Sequence, residues 1–358
     1  MQNTFQVLIV DDSALYRQIL KRLLEEIPGV EVVGTATHGK EALQKVATLR
    51  PHLLTLDMEM PEMDGLTTLQ HLKEQYPEIK TLVLSHHTDK GAEITLKALR
   101  YGATDFLTKP AYSGSFEDNY RKIQEELVPR IKAFLADRNG SVSGPAAARR
   151  DPVKPVTPSF NYNHLLKKAP RDVIAIGSST GGPQCLSQFF KQLPAGFQKP
   201  ILIVQHMPPI FTQKLAQQLT QVGTVPVKEA EEGDIVQPGQ AYIAPGNYHM
   251  EVNRVGNEVR IHLHQGPKEN FCRPAVDVLF RSVARVYGRR AIGVVLTGMG
   301  SDGLKGSKVM KEAGAPIIAQ DKETSVVWGM PGFIVSENLA DAVTPDHKIF
   351  ETISEFMF

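Results

Sequence analysis

The chain has 358 residues, and 40 lysines and arginines balance 39 aspartates and glutamates to a formal net charge of +1. The length exceeds one comfortable hydrophobic core and predicts two domains. The charge gives no reason to expect nucleic acid as a partner, and no apolar run approaches the roughly 20 residues that span a bilayer, so we also expect no membrane insertion.

The start of the chain and its cysteines predict a cytoplasmic protein. In MQNTFQVLIVDDS, two aspartates follow the short apolar stretch at once, which excludes a signal peptide. The two cysteines, Cys185 and Cys272, form no CxxC pattern. We expect both to be buried thiols in a reducing compartment.

The first part of the chain predicts a small doubly wound α/β domain over residues 1–125. Segments with helical spacing of apolar residues, such as SALYRQILKRLLEEI, separate short apolar runs. This alternation predicts a parallel sheet covered on both faces. The five predicted strands are FQVLIV, VEVVGT, LLTLDM, TLVLSH and TDFLTK.

A change of composition predicts a linker after this domain. The stretch FEDNYRKIQEELVPRIKAFLAD is expected to be the last helix of the first domain running into it. The following segment is rich in proline, glycine, serine and alanine, as flexible or extended linkers are. We assign residues 126–169 to the helix extension and linker.

The α/β pattern resumes over residues 170–358 and predicts a second domain with a parallel sheet. Helical stretches are expected around 184–192, 211–220 and 303–313. The run MEVNRVGNEVRIHLH alternates on both sides of VGNE and predicts an antiparallel hairpin. The predicted parallel strands are DVIAIGSS, PILIVQH, AIGVVLTG and, more weakly, PIIAQD.

Three carboxylates stand at strand ends of the first domain. Asp11 and Asp12 follow FQVLIV, and Asp57 follows LLTL. Sites in parallel sheets form at the carboxyl ends of strands, so these acids are expected to meet. Clustered carboxylates repel, and Mg²⁺ relieves that repulsion. Ser85 and Lys109 end two further strands and add a hydroxyl and a cation to the same rim. A single aspartate there would more simply be a turn or cap residue.

Residues 5–125 resemble the receiver domain of two-component response regulators through VDDS, LDMEMPEMDG, LSHHT and DFLTKP. The resemblance implies phosphorylation by a histidine kinase, with Mg²⁺ as the cofactor. No role is assigned to the neighbouring His86 and His87. The site residues that it implies are Asp57 as phosphoacceptor, Asp12, Asp57 and the backbone carbonyl of Glu59 as metal ligands, Asp11 in support, and Ser85, Phe106 and Lys109 as the switch residues.

The segment IAIGSSTGG, residues 174–182, ends a predicted strand in a glycine-rich turn. The phosphate-binding spacings GxGxxG and GxxxxGK[ST] both fail there. GxSxG fits residues 177–181 and is typical of a nucleophile elbow, in which a strained turn exposes a serine, here Ser179. A plain glycine-rich turn is the alternative.

A serine nucleophile needs a base, and a histidine base needs an orienting acid. His206 ends PILIVQH, and Asp302 lies just past AIGVVLTG, so both fall at the same sheet edge as Ser179. Taken singly, they could be a core histidine and a helix N-cap. We expect the other histidines of this region, His249, His262 and His264, to be surface residues of the hairpin.

Residues 170–358 resemble the catalytic domain of chemotaxis-type protein-glutamate methylesterases, the CheB family. The motifs that carry the resemblance are IGSSTGGP, QHMPPIFT, YIAPGNYHM, CRPAVDVLF and LTGMGSDG. It implies Ser179 as nucleophile, His206 as base and Asp302 as orienter. Thr180 and the backbone N–H of Met299 are implied as neighbours of the oxyanion.

The resemblance also implies a substrate and a form of control. The substrate is a glutamate γ-methyl ester on the cytoplasmic domain of a chemoreceptor, and some receptor glutamines are deamidated. The chemistry needs no cofactor. The unphosphorylated receiver is expected to cover the active-site mouth of a monomer.

Two other functional classes fit parts of the sequence. The second domain could be an output domain that only binds a partner, or a serine peptidase or amidase with the same triad. A zinc hydrolase is disfavoured, because the sequence has no HExxH or comparable ligand spacing.

Overall fold

A computed structural model describes residues 4–110, 116–138 and 170–357 of the chain. The chain divides into two compact units, Met1–Asn139 and Gly140–Phe358. Most of the predicted linker, from residue 139 to residue 169, lies outside the described residues.

The first unit contains a parallel five-stranded sheet in the order β2-β1-β3-β4-β5. All five predicted strands are present, and helices follow them in alternation. The bounds are β1 Phe5–Val10, α1 Ala14–Glu25, β2 Val30–Ala36, α2 Gly39–Leu49, β3 Leu53–Asp57, α3 Gly65–Gln75, β4 Lys80–His86, α4 Asp89–Arg100, β5 Asp105–Lys109 and α5 Phe116–Arg138.

Short polar side chains start three helices of this unit. Ser13, Asp64 and Thr88 each accept a hydrogen bond from a backbone N–H in the first turn of the helix that follows. Such caps satisfy N–H groups that have no partner within the helix. Each cap also ends the loop that leaves a strand, so it fixes the loops at the carboxyl edge of the sheet.

Helix α5 continues the first unit beyond residue 125, where we expected the domain to end. Its apolar face is buried at Ile123, Leu127, Ile131 and Phe134. Because the second half of this face packs as completely as the first, the whole helix belongs to the first unit.

The second unit is built on a parallel seven-stranded sheet in the order β14-β13-β12-β6-β7-β9-β8, with a separate antiparallel hairpin, β10-β11. The bounds are β6 Val173–Ser178, α6 Gly182–Gln192, β7 Ile201–Gln205, α7 Phe211–Val222, β8 Val227–Glu229, β9 Ala241–Ile243, β10 His249–Val255, β11 Glu258–His264, α8 Val276–Tyr287, β12 Ala291–Val295, α9 Leu304–Glu312, β13 Ile317–Gln320, α10 Met330–Ser336, β14 Ala342–Thr344 and α11 Ile349–Met357.

The four predicted parallel strands and the hairpin of the second unit are confirmed. The hairpin closes with Val255 paired to Glu258. Strands β8, β9 and β14 are additional, and each has only three residues, too few for a period to show. Helix α8 was not predicted. Among the described residues, no helix combines the length and the apolar character needed to cross a bilayer.

Candidate functional site

Three strand ends of the second unit place the predicted catalytic residues along one edge of its sheet. Ser179 follows β6, His206 follows β7, and Asp302 lies seven residues past β12. Strand β6 pairs with β7 on one side and with β12 on the other. The strands that follow β6 in the chain are therefore added first on one side of it and later on the other, and such a switch point opens a crevice at the carboxyl ends of the strands.

The turn after β6 holds Ser179 by its backbone. Its N–H donates to the carbonyl of Thr297 at 3.0 Å, and its carbonyl accepts from the N–H of Gly182 at 2.8 Å. The expected strain does not lie at the serine, since the positive φ of the turn, 78°, is at Gly181. A Cβ at Gly181 would lie 2.6 Å from Val326, so both conformation and space require glycine there.

Asp302 is the most heavily hydrogen-bonded acid of the site. Its Oδ2 lies 2.8 Å from His206 Nε2 and accepts from the N–H of Val276 at 2.6 Å. Its Oδ1 accepts from the N–H of Asp277 at 3.0 Å and from Asn270 Nδ2 at 2.8 Å. The carboxylate therefore caps the start of α8, rather than that of α9, which follows it in the chain, and also contacts His206.

These contacts keep Asp302 ionised. Burial acts to raise the pKa of Asp302, but the hydrogen bond and charge of His206, together with the backbone donors, hold it below its ordinary value. An ionised Asp302 can stabilise the imidazolium that forms when His206 takes a proton.

Cys272 contacts the other ring nitrogen of His206, which the sequence did not predict. Its Sγ lies 3.6 Å from Nδ1, and the thiol is half-buried rather than part of the core. Cys185, in contrast, is buried as expected. Burial acts to lower the pKa of His206, but its electrostatic interaction with Cys272 and its hydrogen bond to Asp302 raise it to about 10.

Ser179 and His206 are joined through Gln205 rather than directly. The Gln205 amide Nε2 donates to the carbonyl of Ser179 at 2.9 Å and to that of His206 at 3.3 Å, and its Oε1 accepts from Ser178 Oγ at 2.7 Å. In the described part of the chain, no hydrogen bond joins the Ser179 hydroxyl to His206. The polar side chain before the histidine thus links the two backbones.

Thr180 follows the serine in the chain, and the residue before Met299 packs against it. Thr180 is buried, and its carbonyl accepts from Thr297 Oγ1 at 2.9 Å. A Cβ at Gly298 would lie 2.8 Å from Ser179 Cβ, so the main chain before Met299 packs directly on the serine. Met299 itself is half-buried.

His249 is not a surface residue, contrary to our expectation. It is 1% exposed, accepts from the N–H of Ala275 at Nδ1 and contacts the carbonyl of Pro267 at Nε2. These contacts fix one neutral tautomer, and burial lowers the pKa of the ring. The alternating hairpin turns this histidine inward, whereas His262 and His264 are only half-buried.

The acids of the first unit converge at the ends of β1 and β3. Carboxylate oxygens of Asp11, Asp12 and Asp57 lie within 4.8 Å of one another. Lys109 Nζ lies 2.8 Å from both Asp11 and Asp57. Burial, and then the charge of Asp11, raise the pKa of Asp57 against the opposing effect of Lys109. Burial acts to lower the pKa of Lys109, but the two carboxylates outweigh this effect and raise it.

This acid cluster fits a divalent cation. Asp57 Oδ1 is buried and has no hydrogen-bond partner among the residues that the structure describes, and Asp12 is exposed. A buried carboxylate oxygen without a donor is satisfied by a hard cation. Asp12 and Asp57 are in place to serve as ligands, and Glu59 lies two residues beyond Asp57 in the chain.

Of the three switch candidates, Lys109 contacts the acids, whereas Ser85 and Phe106 are placed differently. Ser85 Oγ donates to the carbonyl of Gly91, in the first turn of α4, at 3.0 Å, and makes no hydrogen bond to the acids among the described residues. Phe106 is 5% exposed. The hydroxyl is thus bonded to α4 rather than turned to Asp57.

Sequence reasoning missed Cys272, Gln205 and Asn270. Asn270 Nδ2 joins Asp302 to a second buried carboxylate, Asp277, at 2.9 Å. Gln205 sits directly before the predicted base, so its position was the available signal. Asn270 and Cys272 lie outside any periodic segment, and their contacts depend on tertiary structure.

Family models match both units. A CheB methylesterase model matches residues 174–353, and a response regulator receiver domain model matches residues 7–119. A protein-glutamate methylesterase/protein-glutamine glutaminase from Trichodesmium erythraeum (strain IMS101) is 45% identical over 98% of both chains. One of that name from Pyrococcus abyssi (strain GE5 / Orsay) is 42% identical over 97% of this chain and 92% of its own.

A solved structure supports the fold of the second unit. The catalytic domain of the CheB methylesterase from Thermotoga maritima is 45% identical, with a TM-score of 0.51, and the match covers 52% of this chain and 99% of that one. The sequence matches and the two-unit architecture agree over nearly the whole length. This chain therefore belongs to the CheB methylesterase family and carries a response regulator receiver domain ahead of its catalytic domain.

Proposed function

We propose that the protein hydrolyses glutamate γ-methyl esters on the cytoplasmic domains of chemoreceptors, releasing methanol, and deamidates particular receptor glutamines. The observation that carries this proposal is the His206–Asp302 pair, 2.8 Å apart, at the sheet edge beside Ser179. The names of the relatives support the substrate. A receptor substrate places the enzyme in the cytoplasm.

In the proposed reaction, Ser179 Oγ attacks the ester carbonyl while His206 takes its proton. His206 then gives the proton to the leaving methoxide, so that methanol departs and an acyl-enzyme forms on Ser179. Water hydrolyses the acyl-enzyme, which frees the receptor glutamate and restores the Ser179 hydroxyl. His206 must turn from Cys272 towards Ser179, because Asp302 holds its other nitrogen. General base assistance typically contributes about 10²–10⁴-fold.

The oxyanion is proposed to form between the turn of Ser179 and the segment at Met299. The start of α6, two residues after Thr180, adds the partial positive charge of a helix N-terminus. The packing of Gly298 on Ser179 supports the place of the Met299 N–H as a donor. A single oxyanion donor contributes about 10²–10³-fold.

Control is proposed to come from phosphorylation of Asp57 by a histidine kinase. Mg²⁺, held by Asp12, Asp57 and the carbonyl of Glu59, would neutralise phosphoryl charge during transfer. The phosphoryl charge would attract the hydroxyl of Ser85, which in this structure donates to Gly91. It would also attract the ammonium group of Lys109, which in this structure contacts Asp11 and Asp57. Release of Gly91 would loosen the first turn of α4 and change the surface of the receiver.

The nucleophile is tested by comparing Ser179→Ala with Ser178→Ala in methanol release from methylated receptor membranes. We expect Ser179→Ala to lose about 10³-fold or more, because no other hydroxyl occupies its place. Ser178 donates to Gln205 and should matter less. Equal losses would refute the assignment, and activity retained by Ser179→Ala would favour a different catalytic group.

A further inference from the structure

A strained two-residue turn lies between the catalytic histidine and its acid. Glu269 and Cys272 exchange both backbone hydrogen bonds, N–H to carbonyl, at 3.1 and 2.8 Å. The central residues, Asn270 and Phe271, have φ values of 50° and 64°. Tight hairpin turns of this kind favour glycine at the second central position, and a phenylalanine there is an outlier.

The residues on both sides of Phe271 contact the catalytic pair. Asn270 Nδ2 donates to Asp302 at 2.8 Å, and Cys272 Sγ lies 3.6 Å from His206 Nδ1. Because both neighbours are held by the site, Phe271 must lie at its rim. We call residues 269–272 the rim turn.

Phe271 is left in solvent at this position. Its side chain is 96% exposed, the most exposed large apolar side chain among the described residues. Neither packing nor backbone conformation explains a phenylalanine here, since its ring contributes almost no burial to the fold and its φ is unfavourable. Strained residues that packing does not require are found disproportionately at binding sites.

A second exposed aromatic lies on a loop joined to the rim turn. Arg273, directly after the turn, donates from Nη2 to Asn247 Oδ1 at 2.7 Å, and its carbonyl accepts from the N–H of Asn247 at 3.1 Å. Tyr248 follows Asn247 and is 39% exposed. The two loops therefore present aromatic rings from one hydrogen-bonded frame.

We propose that Phe271 is a specificity-determining residue that contacts an apolar side chain of the polypeptide carrying the glutamyl ester. This inference rests on the proposed function. The occupant is the substrate polypeptide, because the rim turn is continuous with the catalytic residues through both its inner members. Aromatic side chains are enriched among residues that dominate binding at interfaces.

The test compares two substrates in the full-length protein with a small-molecule phosphodonor and Mg²⁺. The kcat/KM for methylated receptor membranes depends on contacts with the substrate polypeptide as well as on the catalytic residues. The kcat/KM for p-nitrophenyl acetate depends on the catalytic residues alone, because this ester has no polypeptide. The variants are Phe271→Gly, which suits the positive φ, and Phe271→Leu, which keeps an apolar side chain. Val255→Ala, at a 55% exposed apolar residue of the β10-β11 hairpin, is the matched control.

We expect Phe271→Gly to lower the ratio of kcat/KM for receptor to that for the small ester by about tenfold or more. Phe271→Leu should restore part of that ratio, and Val255→Ala should stay within about twofold of wild type. An unchanged ratio in Phe271→Gly, with wild type active on both substrates, would overturn the inference and leave the proposed function standing.

Two further outcomes also decide against it. If Phe271→Gly raised the rate only without phosphodonor, the occupant would be the receiver domain. If wild type cleaved the small ester but released no methanol from receptor membranes, the proposed function would fail, and the inference with it.

Discussion

His206 contacts a carboxylate on one ring nitrogen and a thiol on the other, and this determines how its activity should vary with pH. A general base acts when neutral, so kcat/KM should rise as pH rises through its pKa. Interaction with Cys272 raises that pKa. The thiol therefore raises the pH that is needed before His206 is neutral and can accept a proton.

Cys272→Ala should accordingly shift the acid limb of the pH–rate profile to lower pH. The profile of kcat/KM for a small ester, measured with wild type and variant, checks this shift. Cys185→Ala, which removes the buried thiol 3.6 Å from Gln320, is the control and should leave the limb in place. A limb that does not move in Cys272→Ala would show that the thiol does not act on His206.

The buried carboxyl group of Asp57 affects the stability of the first unit. Its pKa is raised, so the folded state holds its proton more tightly than the unfolded state does. By linkage, the free energy of unfolding decreases as pH rises from the ordinary carboxyl value, 3.8, through the raised value. Ionisation of the Asp57 side chain therefore destabilises the first unit.

Asp57→Asn should increase the free energy of unfolding at pH 7, because the amide carries none of the negative charge that burial and Asp11 make unfavourable. The gain should shrink towards acid pH, where the wild-type carboxyl is protonated. Urea denaturation without Mg²⁺ at the two pH values measures both effects. A variant less stable than wild type at pH 7 would contradict this account.

At the scale of elements, the sequence predicted those segments whose apolar period is long enough to show. All strands of the first sheet and four of the second follow from such runs. The three-residue strands β8, β9 and β14 form because neighbouring strands offer an edge, which no local pattern encodes. Helix α8 matters most among the omissions, since its N-terminus binds Asp302.

Parts of the candidate site were predictable for the same reason. Ser179, His206 and Asp302 each stand at or near the end of a long apolar run, so topology alone places them at one edge. The burial of His249 and the contact of Cys272 depend on how the hairpin and rim turn fold over that edge. The catalytic roles themselves stay predictions.

Helix α4 is the element that should report phosphorylation. Ser85 Oγ and Thr95 Oγ1 both donate to the carbonyl of Gly91, at 3.0 and 2.7 Å. We expect that turning Ser85 towards a phosphoryl group would remove one of these two side-chain donors from the first turn of α4.

Ser85→Ala should therefore still be phosphorylated yet show little stimulation of esterase activity. Phosphorylation is followed by intact mass, and activity by methanol release. Ser85→Thr, which keeps the hydroxyl, is the control and should retain stimulation. Full stimulation in Ser85→Ala would exclude this hydroxyl from the switch.

At the scale of the whole molecule, one chain carries a receiver domain and a methylesterase domain. Interfaces between domains of one chain are modest, roughly 600–1,500 Å², so a change of a few kcal/mol can shift their equilibrium. The proposed control needs no change in the catalytic residues, only a receiver that leaves the active-site mouth when Asp57 is phosphorylated.

The most direct measurement is the rate of methanol release from methylated receptor membranes before and after a small-molecule phosphodonor and Mg²⁺ are added. Wild type and Asp57→Ala are compared at equal concentration. The account predicts a rise of about tenfold or more in wild type and none in Asp57→Ala. Equal rates for phosphorylated wild type and Asp57→Ala would contradict control through the receiver, and no release from either would contradict the esterase itself.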